Sequence, residues 1–295
     1  MRFVSFEFGG QRGLGVELAG QLRGLTADNC DHTVDLGRLI AAGPEELLRV
    51  GRQLADGPEF DPNAVTFLPP LARPPKIICV GLNYADHTKE SPYEQPDYPT
   101  LFARFATTLV GHNQPIVRPL ASTSLDFEGE MVVVIGRGGR HIPKARAHDH
   151  VVGYSIFNEG SVREYQFKSP QWTVGKNFDS TGGFGPALVT ADEVPAGGKG
   201  LRLETRLNGV TVQSASTDDM LFDVATLIET ISEAITLEPG DLIVSGTPAG
   251  IGWARNPRLL MKDGDRCEVS IEGLGKLINP VCDEVRTEDM TGKAA

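Results

Sequence analysis

Residues 126–136 read DFEGEMVVVIG, and the rest of the chain is best interpreted outward from this stretch. Five apolar residues follow two glutamates and end at a glycine, which predicts a buried β-strand entered from a charged end. Because side chains alternate along a strand, Glu128 and Glu130 project from the same side. A shared cation, Mg²⁺ before Mn²⁺, would relieve their repulsion. The alternative is a strand end whose glutamates face water.

The composition is that of an ordinary globular protein. The chain has 295 residues, of which 40% are apolar and 23% are charged, and its formal net charge is −11. This acidity argues against nucleic acid and anionic membranes as partners, but it leaves a small anionic substrate open. The N-terminus lacks a signal-like apolar core, and no apolar run approaches the ~18 residues of a membrane span. We therefore expect a cytoplasmic protein.

The domain organisation is predicted from a proline-rich stretch near residue 70. Residues 69–75 contain four prolines, which is typical of a linker or domain edge. Residues 1–72 are predicted to form a small N-terminal α+β domain. Residues 73–285 then form the catalytic domain, and residues 286–295 form a C-terminal tail.

A second motif follows a short apolar strand, where residues 81–90 read GLNYADHTKE. His87 and Glu90 are three residues apart, so on a helical turn they share a face. A carboxylate beside an imidazole raises its basicity, which makes His87 a candidate general base for water. The alternative is an incidental pair on a surface helix. The proline-rich loop 91–100 could form a lid over this pair.

A third group of polar residues follows the predicted strand at residues 151–158. This strand runs directly into Glu159, a third carboxylate at a strand end. Arg163 and Gln166 are three residues apart and could face one site, where an arginine would suit a substrate carboxylate. Lys176 comes next. The segment 181–186, TGGFGP, is too glycine-rich for regular structure and is predicted to be a loop.

The last third of the chain is predicted to be rich in strands. Asn208-Gly209 between two apolar segments predicts a β-hairpin. One amphipathic helix is expected over roughly Met220 to Glu233. A strand from Leu242 to Ser245 then ends at a glycine-rich turn.

Together these segments resemble the fumarylacetoacetate hydrolase family over roughly residues 73–282. The resemblance rests on six modest motifs in the right order, at residues 81–90, 126–130, 158–166, 175–179, 237–241 and 245–250. It implies a mixed, β-rich α+β fold whose catalytic domain is a rolled, barrel-like sheet. It also implies a homodimer and an activity like that of acylpyruvate hydrolases or hydroxymuconate isomerases.

The resemblance also implies roles for individual residues. The metal ligands, usually for Mg²⁺ and with Mn²⁺ as a second choice, would be Glu128, Glu130 and Glu159. The predicted catalytic residues are His87 and Glu90, which activate water, and Lys176, which polarises the substrate or stabilises the anion formed. The predicted substrate-binding residues are Arg163, Gln166 and Thr247.

The sequence departs from the family pattern at three places. Glu159 stands where an aspartate is common, and Arg104-Phe105 stands where many members have Lys-Pro. Residues 183–186 lack a proline that is common two residues before the Gly-Pro pair. The last two departures bear on substrate identity rather than on the metal chemistry.

The predicted function is Mg²⁺-dependent hydrolysis of a C–C bond in a 2,4-diketo acid of the acylpyruvate or fumarylpyruvate type. The products would be pyruvate and a carboxylic acid, and the substrate a small anionic keto acid. Alternatives that use the same site are oxaloacetate decarboxylation or tautomerisation, isomerisation of a hydroxymuconate-type diacid, and sugar-acid dehydration. A non-catalytic binding protein is a further alternative, which the intact set of site residues disfavours.

Overall fold

The structure is a computed structural model, in which residues 1–30, 34–86 and 95–286 are described. The first strands are β1 Arg2–Phe8, β2 Gln11–Leu18, β3 Gln21–Thr26, β4 Glu59–Phe60, β5 Thr66–Phe67, β6 Ile77–Gly81, β7 Thr100–Arg104, β8 Leu109–Val110, β9 Ile116–Arg118 and β10 Leu125–Asp126. The later strands are β11 Gly129–Ile135, β12 Val151–Glu159, β13 Ser161–Val162, β14 Gly182–Thr190, β15 Arg202–Leu207, β16 Val210–Ser216, β17 Leu242–Val244, β18 Arg266–Ile271 and β19 Gly275–Asp283. The helices are α1 Leu36–Ala42, α2 Pro44–Ala55, α3 Arg163–Gln166, α4 Thr173–Lys176 and α5 Val224–Ala234.

Most of the strands belong to one mixed sheet of twelve strands. Its order is β4-β3-β2-β1-β14-β12-β11-β17-β6-β7, with β5 beside β1 and β8 beside β14. A second sheet has the order β16-β15-β18-β19-β9, and β10 pairs with β13 alone. The predicted mixed, β-rich architecture is therefore confirmed. Within the described residues the large sheet is rolled without closing into a barrel.

The central strand β11 is apolar throughout because both of its faces are covered. Met131 and Val133 lie in the same core as Ile228 of α5. Val132, which points the other way, lies in a core with Phe3 from the N-terminal segment. β11 also pairs with β12 on one side and β17 on the other, so no edge faces water. A strand buried on all sides has no reason to alternate polar and apolar residues.

The N-terminal segment shares the large sheet with the rest of the chain. β1 runs antiparallel to β14, with Arg2 opposite Val189 and Phe3 opposite Leu188. α2 places Leu54 in the same apolar core as Phe3. The division into residues 1–72, 73–285 and 286–295 stays a prediction, since sheet continuity alone does not define folding units.

The prediction of a loop at residues 181–186 is wrong, because this segment begins strand β14. Its glycines are required by close neighbours rather than by a turn. A Cβ atom on Gly182 would lie 2.9 Å from the ring of Phe157, and one on Gly183 would lie 2.3 Å from Asn279 Oδ1. The glycines are therefore present because neighbouring atoms pack closely against this strand. The local sequence alone does not distinguish such a strand from a glycine-rich loop.

Two other local predictions are close to the structure. The hairpin at Asn208-Gly209 is confirmed, since it joins β15 to β16. The predicted helix begins at Val224 rather than at Met220, because the Asp223 side chain accepts a hydrogen bond from the Thr226 N–H and starts the helix there. None of the four cysteines, all of which lie within the described ranges, forms a disulfide. In the described part of the chain, no helix has the length and apolar character needed to cross a bilayer.

Candidate active site

Three buried glutamates meet where β11 and β12 lie side by side. Glu130 is the second residue of β11, Glu128 directly precedes that strand, and Glu159 is the last residue of β12. The Glu159 N–H donates to the Glu128 carbonyl at 2.8 Å, which fixes the two side chains next to each other. All three are at most 3% exposed, and their carboxylate oxygens lie within 4.8 Å of one another. The alternative of glutamates facing water is therefore wrong.

The donor set fits a divalent cation. Glu159 Oε1 is buried and accepts no hydrogen bond from the described residues, so one oxygen remains available as a ligand. Burial, followed by the charges of Glu159 and Glu128, raises the pKa of Glu130 well above its usual value. Such a group must either take up a proton or meet positive charge. Three carboxylates converging on one point are typical of a site for a hard, oxygen-preferring ion.

Lys176, at the end of α4, lies directly against this triad. Its Nζ is 2.7 Å from Glu128 Oε2 and 2.9 Å from Glu159 Oε2. Burial alone would lower the pKa of Lys176, but the two carboxylates outweigh it and raise that pKa. The side chain therefore stays protonated and places a fixed positive charge beside the site.

Arg163 and Gln166 line the same cavity, as their spacing predicts, but the guanidinium is occupied. Arg163 Nε donates to Asp126 Oδ2 and Nη1 donates to Gln166 Oε1, each at 2.9 Å. Arg163 Nη2 lies 2.7 Å from Glu128 Oε1. In this arrangement Arg163 holds the carboxylate of Glu128, a predicted metal ligand, in place. Its predicted role as a substrate ligand stays a prediction.

Asp126 and Gln213 are supporting residues to which the sequence analysis gave no role. Asp126 is fully buried and pairs with Arg163 through both Nε and Nη2. Gln213 accepts from the Gly129 N–H at 3.0 Å and donates to Thr247 Oγ1 at 2.8 Å. Thr247 in turn donates to the Gly129 carbonyl at 3.0 Å. The DFEGE motif could have drawn attention to Asp126, but no local signal indicates Gln213.

Arg104 is a third buried cation at the site, noted in the sequence only as a departure from the family. It is 3% exposed, and its Nη1 lies 3.8 Å from Glu159 Oε1. Nη1 also donates to the Gly160 carbonyl at 3.1 Å, and the guanidinium lies over the ring of Phe157. Arg104 therefore holds the backbone that directly follows Glu159 at the end of β12.

The cavity at this centre is small. Its volume is about 50 Å³, bounded by the described residues. Its walls combine the polar groups above with apolar side chains, namely Val80, Leu82, Phe102, Phe167, Trp172, Ile251 and Trp253. Thr247 lines it as well, so seven of the predicted site residues come together here.

The predicted pair His87 and Glu90 lies outside the described residues. The described part of the same motif is held firmly against the cavity. Asn83 is fully buried and donates to the Ser245 carbonyl at 2.7 Å. It also accepts from the Phe222 N–H at 2.8 Å. The catalytic roles of His87 and Glu90 stay predictions.

Comparison with known proteins settles the family. Residues 76–282 match the model of the fumarylacetoacetate (FAA) hydrolase C-terminal domain. The chain belongs to the fumarylacetoacetate hydrolase family. The matched range contains the glutamate triad, Lys176 and the whole cavity wall, so the resemblance inferred from the motifs is confirmed.

Curated relatives in this family include a bovine protein named oxaloacetate tautomerase FAHD2A, mitochondrial. It is 38% identical over 295 residues, covering 95% of this chain and 91% of the relative. The prediction of a cytoplasmic location is wrong in light of this relative, which is named as mitochondrial. The name of this relative matches the alternative of oxaloacetate tautomerisation better than the predicted hydrolysis of a C–C bond.

Solved structures of the family share the fold. A fumarylacetoacetate hydrolase from Exiguobacterium antarcticum superimposes with a TM-score of 0.85 at 38% identity, covering 96% of this chain and 100% of the other. A maleylpyruvate hydrolase from Sphingobium sp. SYK-6, in complex with manganese(II) ion and pyruvate, gives 0.79 at 27% identity, covering 97% and 100%. The predicted family fold is confirmed by these structures.

Proposed function

We propose that this chain is a divalent-metal-dependent tautomerase of a small 2-keto diacid of the oxaloacetate type. The observation that carries the proposal is the buried triad of Glu128, Glu130 and Glu159 with Lys176 against it, in a cavity of about 50 Å³. The 38% identity over 95% of the chain to a protein named oxaloacetate tautomerase supports the choice of substrate.

Mg²⁺ is the ion we propose, with Mn²⁺ able to replace it. The ligands would be the carboxylates of Glu128, Glu130 and Glu159, because hard cations of this kind prefer oxygen donors. When bound, the ion supplies Lewis-acid polarisation of the 2-keto group and so makes the neighbouring C–H bond more acidic. The manganese(II) ion in the maleylpyruvate hydrolase complex supports a divalent ion in this fold.

The chain's own contribution is charge at fixed positions. In the keto-to-enol direction a C3–H bond breaks and an O–H bond forms at the 2-oxygen, so no water enters the product. Negative charge grows on that oxygen during the transfer, and the Lys176 ammonium is placed to stabilise it. Because Lys176 is held by two carboxylates, its orientation is set before the substrate arrives.

The test is the rate at which enol-oxaloacetate disappears, followed by its ultraviolet absorbance, with Mg²⁺ and with excess EDTA. We expect catalysis above the Mg²⁺-only background, loss of that catalysis with EDTA, and loss in Glu130→Gln, which keeps the size of a ligand but removes its charge. A rate equal to the background with fully loaded enzyme would refute the proposal.

Hydrolysis of an acylpyruvate is the second candidate, because the sequence carries His87 and Glu90 at the spacing of a water-activating pair. It predicts pyruvate release from acetylpyruvate, with oxygen from labelled water in the carboxylic acid product. His87→Ala should then lower turnover by at least ~100-fold while metal affinity is unchanged. Tautomerisation predicts no incorporation of labelled oxygen.

A further inference from the structure

Residues 252–259 form a loop beside the cavity, which we call the rim loop, and its residues Trp253 and Ala254 line the cavity wall. Its two ends are joined directly, because the Leu259 N–H donates to the Gly252 carbonyl at 3.0 Å. The Arg255 N–H donates to the same carbonyl at 3.3 Å. A Cβ atom on Gly252 would lie 1.8 Å from the Leu259 oxygen, so only glycine allows this closure. Residue 258 is thereby brought next to residue 253.

The rim loop is fixed to the buried part of the site. Asp126 accepts hydrogen bonds from the Gly252 N–H at 2.8 Å and the Trp253 N–H at 3.0 Å. The Arg255 guanidinium donates to the Val212 carbonyl at 2.6 Å and to the Gly250 carbonyl at 3.1 Å. These contacts hold the position of the Trp253 side chain on the cavity wall.

Arg258 is stacked on the indole ring of Trp253, with Cζ 3.4 Å from the ring centre. Trp253 lines the cavity and packs against Phe167, another wall residue, with ring centres 5.9 Å apart. Stacking orients a guanidinium while leaving its edge available for hydrogen bonds. Among residues 1–30, 34–86 and 95–286, no ion pair or hydrogen bond of the Arg258 side chain is found.

The buried cations at the site are already paired. Four carboxylates face three cations there, namely Asp126, Glu128, Glu130 and Glu159 against Arg104, Arg163 and Lys176. Each of the three cations lies within 4 Å of a carboxylate oxygen. A substrate with a second carboxylate would therefore meet no unpaired cation among the described interior residues. An unbalanced buried carboxylate is costly, so its partner should lie at the mouth of the cavity.

We propose that Arg258 binds the distal carboxylate of a dicarboxylic keto acid and so selects diacids over monoacids. This inference rests on the proposed function, since it assumes that the keto-acid end of the substrate faces the glutamate triad. The guanidinium edge offers two parallel N–H donors to a carboxylate, and its stacking on Trp253 reduces the motion lost on binding. Arg258 is a specificity-determining residue, separate from the groups that carry the reaction.

The test compares oxaloacetate with 2-oxobutyrate, which has the same four-carbon keto-acid chain and lacks the distal carboxylate. In Arg258→Gln, we expect the KM for oxaloacetate to rise about 3- to 10-fold, the size of one exposed charge-assisted contact, with kcat within twofold. The inhibition constant of 2-oxobutyrate as a competitor should not change. Arg258→Lys should recover only part of the lost affinity, because it restores the charge but not the two parallel donors or the stacking.

Lys168→Gln is the matched control. Lys168 also stacks on an aromatic ring, with Nζ 3.5 Å from the centre of Tyr165, but Tyr165, unlike Trp253, does not line the cavity. This variant should leave the KM for oxaloacetate and the inhibition constant of 2-oxobutyrate unchanged. An unchanged KM in Arg258→Gln, or an equal loss for both ligands, would overturn the proposal.

The two proposals can fail separately. If the wild-type enzyme does not turn over oxaloacetate, calorimetric titration of the Mg²⁺-loaded protein with each ligand replaces the kinetic assay. A loss confined to oxaloacetate in Arg258→Gln would then support the role of Arg258 while the tautomerase function fails. Equal affinities of wild type and Arg258→Gln for oxaloacetate would refute that role.

Discussion

Replacing Asp126 by asparagine should weaken both the fold and the metal site. The Asp126 carboxylate accepts from the Gly252 and Trp253 N–H groups and from Arg163 Nε. An asparagine side chain has one acceptor oxygen and one NH₂ group, so its NH₂ end must face donors that Asp126 now satisfies. Either a backbone N–H of the rim loop or the Arg163 guanidinium then loses its partner.

The magnitude follows from what is left unpaired. A buried donor without an acceptor costs about 1–3 kcal/mol, and removing one partner of a buried ion pair costs about 3–5 kcal/mol. Arg163 keeps Glu128 as a second partner at 2.7 Å, so the lower part of this range applies. We expect Asp126→Asn to lower the free energy of unfolding by about 3 kcal/mol. Metal affinity should fall about 10- to 100-fold, as when an outer partner of a metal ligand is removed.

Urea unfolding gives the free energy of unfolding, and calorimetric titration with Mn²⁺ gives the metal affinity. Asp241→Asn is the matched control, because Asp241 is also buried and lies 3.0 Å from Lys76 Nζ, but it does not contact the triad. The control should lose about 1 kcal/mol, because the Lys76 side chain is 27% exposed and solvent screens its charge. Its metal affinity should not change. If Asp126→Asn behaves like this control in both assays, Asp126 does not support Glu128.

Three further predictions concern the metal, the triad and the last helix. Mg²⁺ at about 100 times its Kd should add about 2.7 kcal/mol to the free energy of unfolding. Removing it with EDTA should therefore lower the melting temperature by roughly 5–10 °C, which scanning calorimetry measures. Gly129→Ala would place a Cβ atom 2.1 Å from Thr205 Oγ1, so urea unfolding should show a loss of about 1–3 kcal/mol and titration should show weaker metal binding. Burial would raise the pKa of Asp223, but hydrogen bonds from Thr226 and the charge of Lys144 lower it to about 2. The folded state favours the carboxylate, so its contribution is complete above about pH 4 and is lost as the pH falls towards 2. Asp223→Ala should therefore cost about 1 kcal/mol in urea unfolding at neutral pH and less at pH 2.

The parts of the site that the sequence predicted lie close together along short segments. Glu128 and Glu130 follow from the period of a strand, and Glu159 follows from a second strand ending in a carboxylate. The family motifs then connected these segments to Lys176 and Thr247. Strand alternation and motif order are local properties, so they can be seen without the fold.

The parts that the sequence missed depend on distant contacts. Gln213 is 84 residues from Gly129, which it supports, and nothing near Gln213 indicates that pairing. The glycines of β14 were assigned to a loop because the neighbours that require them, such as Asn279, come from elsewhere in the chain. The contact of Arg163 with Asp126 has no local signal either, because Asp126 lies 37 residues before it.

The pairing of β1 with β14 has a consequence for how the chain unfolds. Phe3 shares a core with Phe157 and Phe184, and the β1 backbone completes the hydrogen bonding of β14. Deleting the first strands would leave Leu188 and Val189 at the end of β14 as an unpaired edge, open to pairing with other molecules. The first strand and the catalytic strands should therefore melt as one cooperative unit, and the slowest amide exchange should extend from β12 through β14 into β1.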